Sequence, residues 1–200
     1  SARLGLLAGL QDRTLIGALT GVGDALIRAS WLSQCSQSEG KLMKTAFIFG
    51  LGYVGVTLAH ALAKKGWQIR GTTRTPSKLF DKIGISWEVL PFAADSPLAN
   101  PKKAFADVGV IISTINAIGG RDVVLDLHGK DLANFSGWAG YVSATSVYPD
   151  MPDSICYEDT PVAPATARGK ARVLAERRWQ NQLGAEVFRA AGIYGPSRSP

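Results

Sequence analysis

From Lys44 onward the chain alternates short apolar runs with stretches of helical periodicity, the pattern of successive βαβ units that build a parallel sheet. Thr45 to Phe49 is nearly continuous in apolar residues, as a strand buried on both faces must be. In Tyr53 to Lys65, Val54, Leu58 and Leu62 recur at i, i+4 and i+8, which predicts a helix that Gly66 can cap. Further strands are expected at Trp67–Thr72, Ser86–Leu90, Asp107–Thr114, Ala139–Ser143 and Glu186–Ala191, with Asp107–Thr114 the clearest. Helices are expected at Val123–Phe135 and Ala167–Gln182, the latter after a proline-rich loop from Pro149 to Pro164. The class this predicts is α/β, a Rossmann-type doubly wound parallel sheet.

Residues 1–42 lack this order. They are rich in Gly, Ser, Leu and Ala, and Met43-Lys44-Thr45 ahead of the first strand reads like a native start. The segment 1–42 is therefore expected to be a non-native or mis-assigned extension, poorly ordered, with a weak amphipathic helix as the alternative. The apolar run from Leu4 to Leu10 is broken by glycine and closed by Gln11-Asp12-Arg13, a poor fit to a secretory signal. Residues 43–200 form the dinucleotide-binding domain, expected to be incomplete at its C-terminal end.

Composition narrows the class. An apolar fraction of 46% suffices for a buried core, and no apolar run approaches the roughly 18 residues of a membrane span. Cys35 and Cys156 lie far apart, and neither they nor His60 and His128 stand at ligand spacing. Reduced thiols, no metal and a cytoplasmic location are the expectation. The net charge of +6 is scattered, and no aromatic interleaving accompanies Lys64-Lys65, Lys102-Lys103 or Arg168–Arg178, so neither nucleic acid nor membrane is expected as a partner. Oligomeric state is not legible.

The chemistry begins at Gly50-Leu51-Gly52-Tyr53-Val54-Gly55, a G-x-G-x-x-G that follows a strand and opens a helix. Gly50 permits the tight turn, Gly52 lets the backbone approach a pyrophosphate, and Gly55 lets the helix pack on the strand. Helix-start amides then face the phosphates. At the end of the second strand stands Thr72-Thr73-Arg74, where an NAD site carries an acid. Thr73 and Arg74 suit a 2′-phosphate, so NADP is the expected cofactor, with NAD the alternative. Thr114 and Asn116, at the end of the fourth strand, are expected to contact it at the carboxyl edge of the sheet. Asp95, Asp107 and Asp122 form no acid pair and read as turn or helix-start residues.

Four pieces of sequence together resemble the extended and atypical short-chain dehydrogenase/reductases, the NAD-dependent epimerase/dehydratase superfamily, and within it the YeeZ-like atypical group. They are Phe47–Gly55, Gly66-Trp67 with Gly71–Arg74, Tyr141–Tyr148 and Phe188–Pro196. The resemblance implies an NAD(P)-dependent oxidoreductase or epimerase acting on a small polar or nucleotide-sugar-like substrate. In active members a Tyr and a Lys four residues later handle the proton, aided by a Ser or Thr. Here the corresponding positions hold Ala144, Arg168 and Arg172, and an alternative register gives Thr166 and Lys170. Arginine is no general acid at neutral pH. The residues left to act are Ser143, Thr145, Ser146 and Arg172; Ser143, Arg172, Gly192 and Ile193 are also expected at the cofactor. Tyr148 and Tyr194 are expected to pack or line the pocket. The alternative function is a non-catalytic NADP(H)-binding sensor or regulatory module.

Overall fold

The computed structural model describes residues 5–7, 44–77, 87–150, 155–157 and 159–194. Its elements in chain order are β1 (Gly5–Leu7), β2 (Thr45–Phe49), α1 (Tyr53–Lys64), β3 (Gln68–Thr73) and β4 (Glu88–Pro91). There follow α2 (Pro101–Ala104), β5 (Val108–Ser113), α3 (Val123–His128), β6 (Trp138–Ala144), a 3-10 turn (Thr145–Val147), α4 (Ala167–Leu183) and β7 (Glu186–Ala190). The seven strands form one sheet in the order β1-β7-β6-β5-β2-β3-β4, every pair parallel. From β4 to β7 this is the doubly wound Rossmann order, as the periodicity predicts. The structure describes Gly5–Leu7 of the 1–42 segment as a strand paired with Phe188–Ala190; the remaining expectations for that segment lie outside the described residues.

The continuous apolar runs are explained by burial on both faces. In β2 all five residues are buried: Phe47 and Phe49 enter one core, Ala46 and Ile48 the other. The first core takes Ala171, Ala175 and Trp179 from α4, spaced at i, i+4 and i+8. The second takes Leu58, Ala59 and Leu62 from α1. Helices thus cover both faces of the sheet, the layering a parallel sheet requires. Two aromatic contacts tie β2 to the first layer: Phe49 meets Phe92 at 5.6 Å and Phe47 meets Phe105 at 5.1 Å.

Element ends follow local chemistry. Asp122 caps α3 by accepting from the Leu125 N–H at 2.9 Å, as expected of a helix-start residue. Thr166 caps α4 by accepting from Gly169 at 3.0 Å, and Gly184 ends it in the left-handed region. Asn100 and Pro101 open the short α2, which the periodicity does not foretell.

One prediction needs correcting. The helix expected over Val123–Phe135 stops at His128. His128 turns its ring inward, where Nε2 accepts from the Leu98 N–H at 3.1 Å and Nδ1 bonds Asp131 at 2.9 Å. Beyond it the chain tightens into turns, yet Leu132 and Phe135 still reach the core. The apolar spacing reported their burial rather than a helix. The third strand, expected from Ser86, begins at Glu88: Trp87 precedes it outside the strand, and Ser86 lies outside the described residues.

Candidate functional site at the carboxyl edge of the sheet

The sheet order reverses at β2, which pairs with β3 on one side and β5 on the other. A crevice opens beyond the strand ends at such a point. Its floor is the turn Gly50–Gly52 between β2 and α1, held by one glycine conformation and three hydrogen bonds. Gly50 has φ +90°, and a Cβ there would meet Thr114 Oγ1 at 2.8 Å. The Gly50 N–H donates to Thr72 Oγ1 at 3.0 Å and the Leu51 N–H to the Thr72 carbonyl at 2.6 Å. Thr114 Oγ1 donates to the Gly50 carbonyl at 2.7 Å. The hydroxyls of Thr72 and Thr114 therefore shape the loop, which leaves Thr73 and Arg74 as the polar residues of that strand end facing the crevice.

The other two glycines divide the remaining work. At Gly55 a Cβ would lie 2.0 Å from the Gly50 carbonyl oxygen, so α1 approaches β2 closely only without a side chain. At Gly52 a Cβ would meet nothing within 4 Å. Gly52 is the N-cap of α1, no side chain caps the helix, and its first turn carries no acid. Open space thus stands before a helix start that no N-cap side chain closes, an arrangement that suits an anion.

The crevice has two lobes joined at Gly52 and Asn116. The first, of about 650 Å³, runs past Gly50, Leu51, Thr73 and Arg74 to Phe92, Ile118 and Arg121. Arg74 is exposed there, with no acid at the strand end beside it. Arg121 is tied to Asp126 at 2.9 Å, and Arg178 holds the other oxygen of the same carboxylate at 2.6 Å. Burial works against the charge on Asp126, but the bonds from Arg178 and Arg121 prevail and hold its pKa below the usual carboxylate value.

The second lobe, of about 320 Å³, is lined by Gly52, Tyr53, Val54, Thr114, Asn116, Val142, Ser143, Ala144, Arg168, Arg172, Ala190, Ala191, Gly192 and Ile193. Residues expected at a site from four separate parts of the chain therefore share one wall: the ends of β5, β6 and β7, and the start of α4. Thr145 does not join them; it belongs to the 3-10 turn after β6, where its carbonyl accepts from the Tyr148 N–H. Ser146 is exposed outside the lobe as well. Gly195, the last residue of the expected Gly192–Gly195 turn, lies outside the described residues.

Behind this wall lies a buried polar network that residue-by-residue reading misses. Glu176 accepts from Ser143 Oγ at 2.5 Å and from both Nε and Nη2 of Arg189, at 3.2 and 2.9 Å. Arg189 Nη1 donates to the Tyr148 hydroxyl at 3.1 Å. Burial disfavours charge on Arg189, but its bonds to Glu176 and Tyr148 outweigh that and keep its pKa raised. Tyr148 is buried and packs as expected, while Tyr194 is exposed. Glu176 falls four residues after Arg172 on α4, a spacing that puts both on one face. That spacing was the available signal; the pairing with Arg189 of β7 is long-range and left none.

Arg172 itself is 5% exposed, and Nη2 donates to Asn116 Oδ1 at 2.7 Å. Desolvation, and then the charge of Arg168, lower its pKa from the usual guanidinium value. Tyr141, fully buried and stacked on Trp179 at 5.8 Å, has its phenol pKa raised, first by burial and then by Asp122. It faces the core and takes no part in the crevice.

This architecture is that of a Rossmann-type α/β domain. The chain is 31% identical over 172 residues to protein YeeZ of Escherichia coli K12, across 79% of this chain and 62% of that protein. A solved structure of a functionally unknown conserved protein from Silicibacter pomeroyi matches with TM-score 0.68 and 36% identity, over 78% of this chain and 55% of that one. UDP-glucuronic acid 4-epimerase from Bacillus cereus, solved in complex with NAD, matches with TM-score 0.62 at 17% identity, over 78% and 59%. No family model matches the chain. The likeness to the epimerase, at 17% identity, is one of fold. The chain spans 62% of the length of YeeZ. No helix among the described residues is long and apolar enough to cross a membrane.

Proposed function

We propose that the crevice binds a nicotinamide dinucleotide, with NADP preferred, and that the protein is an oxidoreductase or epimerase acting on a small polar or nucleotide-sugar-like substrate. The observation that carries this is the continuity of the two lobes through Gly52, in front of a helix start that has no side-chain cap. A dinucleotide laid across that point puts its pyrophosphate on the α1 amides. Its adenosine half then falls beside Thr73 and Arg74, and its nicotinamide half beside Asn116, Ser143, Arg172, Gly192 and Ile193. When bound, the cofactor supplies hydride transfer.

The chain's own residues set the limits of the chemistry. Arg74 pairs with a 2′-phosphate, and no acid at that strand end competes for it. Ser143 keeps an acceptor lone pair toward the lobe while its proton goes to Glu176. Arg172 donates and does not give up its proton at neutral pH. Proton transfer therefore falls to the substrate, to water, or to a residue outside the described set. Arginine at the tyrosine position, Arg168, favours a second reading: a non-catalytic module that reports NADP(H) state. The fold shared with UDP-glucuronic acid 4-epimerase supports the enzyme reading.

Calorimetric titration with NAD⁺, NADH, NADP⁺ and NADPH tests the binding. Saturable binding with NADP(H) ahead is expected; absence of binding to all four refutes it. Turnover of NADPH against a panel of carbonyl compounds and sugar nucleotides separates the enzyme from the sensor.

A further inference from the structure

We infer that the Arg172 lobe is an oxyanion subsite, so that the group presented there by the substrate is a carboxylate or a phosphoryl group rather than an uncharged hydroxyl or carbonyl alone. This rests on the dinucleotide reading above and names the substrate chemistry of the same site.

Three observations carry it. First, Arg172 Nε and Nη1 are sealed from solvent and have no hydrogen-bond partner, although the residue lines the lobe. A buried guanidinium without a counter-ion is costly, and proteins keep such a group where a ligand completes it. Second, among the described residues that line the lobe there is no carboxylate to neutralise it. The acid nearest along the helix, Glu176, spends both oxygens on Arg189 and Ser143. Arg168, one turn earlier on α4, also lines the lobe and has no hydrogen-bond or ion-pair partner among the described residues. The lobe thus carries two uncompensated positive charges. Third, the single bond from Arg172 goes to the exposed Asn116, so the guanidinium can turn its free donors outward without breaking a buried ion pair. A planar guanidinium holds two oxygens of one oxyanion side by side, which a hydroxyl or ketone cannot offer.

Arg168 also borders a third opening, with Ile118, Gly119, Gly120 and Ala167. A substrate anchored by its anion on Arg172 has that way out past the Gly119-Gly120 turn, away from the glycine loop.

The experiment titrates inorganic phosphate, and separately oxalate, into the chain alone and into the chain saturated with NADPH. It compares wild type with Arg172→Gln, Arg172→Lys and Arg168→Gln. Wild type is expected to bind both anions with NADPH present. Arg172→Gln is expected to weaken them about tenfold or more beyond any loss of NADPH affinity, and Arg168→Gln less. Because Arg172→Gln removes a buried unpaired charge, its Tm is expected to hold or rise. If Arg172→Gln fails to fold, Arg172→Lys is read instead and is expected to weaken both anions, since an ammonium is a point charge without the fork. Equal anion affinity in wild type and Arg172→Gln overturns the inference, as does the absence of anion binding to wild type. A parallel tenfold loss of NADPH and anion affinity also overturns it, by giving Arg172 to the phosphates of the dinucleotide. Anion binding without any dinucleotide binding leaves the subsite standing and removes the cofactor reading.

Discussion

Ser143 Oγ donates to Glu176 Oε1 across 2.5 Å, which ties a hydroxyl in the wall of the second lobe to an acid one layer behind it. Glu176 is in turn clamped by Arg189, with both partners buried. The three residues join β6, α4 and β7 directly under the Arg172 lobe. Their arrangement commits the charge of Glu176 to Arg189, so that it does not pair with Arg172 or Arg168.

Breaking this clamp is expected to be costly. Glu176→Gln removes the counter-charge of Arg189 and is predicted to lower stability by about 3 kcal/mol or more, because one buried charge loses its partner. The double variant Glu176→Gln with Arg189→Met is expected to recover part of that loss. Chemical denaturation of all four members of the cycle measures the coupling.

Asp122 gives a pH-dependent test. Burial raises its pKa against the opposing bonds from Leu125 and Trp179. A carboxyl whose folded pKa is raised binds its proton more tightly in the native state, so it costs stability as pH climbs above the unfolded value of 3.8. Asp122→Asn keeps one acceptor, for the Leu125 N–H cap, and loses the bond from Trp179 Nε1, a cost that does not vary with pH. Relative to wild type, Asp122→Asn is expected to gain stability as pH rises from below 3.8 toward neutrality. Asp122→Ala loses the cap, at about 1–2 kcal/mol. Unfolding curves at pH 3, 5 and 7 would show a flat difference if Asp122 were not perturbed.

Arg74→Ala is expected to remove the NADP preference. Losing a charge-assisted pair to the 2′-phosphate should lower the NADP-over-NAD affinity ratio by about tenfold or more, with NAD affinity nearly unchanged. An unchanged ratio in calorimetric titrations would leave Arg74 a solvent-facing residue.

At Gly55 the added methyl group of alanine meets the Gly50 carbonyl oxygen at 2.0 Å. Gly55→Ala is therefore predicted to cost about 2 kcal/mol or more and to spoil the turn, visible as a lower Tm even without ligand.

Much of this was legible in sequence for a physical reason. The glycine loop is a local backbone requirement, so Gly50, Gly52 and Gly55 announce it wherever strand and helix flank them. The strands show because burial on both faces demands continuous apolar runs, as in β2. The extent of α3 was misread because Leu132 and Phe135 are buried from turns, and periodicity records burial without saying which backbone delivers it. The Glu176–Arg189 pair, 13 residues apart on different elements, was hidden because nothing local marks it. The first lobe's far wall, from Phe92 to Arg121, depends on where β4 and α3 end in space. Thr145 was placed at the site by its neighbours in sequence, and the 3-10 turn after β6 carries it off the wall.

The central claim is that the turn Gly50–Gly52 and the helix start behind it hold a dinucleotide, and Gly52 isolates that claim. A methyl group there touches no protein atom within 4 Å, and the backbone is extended at φ −88° and ψ −158°, so alanine is sterically welcome. The free chain should keep or gain stability, by about 0.4–1 kcal/mol, through lost freedom in the unfolded state. Yet the methyl group fills the space a pyrophosphate needs. The decisive measurement is the NADPH dissociation constant of wild type and Gly52→Ala, taken beside their Tm values. An unchanged or higher Tm with affinity weakened about tenfold or more is predicted. Equal affinity in the two proteins, or no NADPH binding by the wild type, would contradict it.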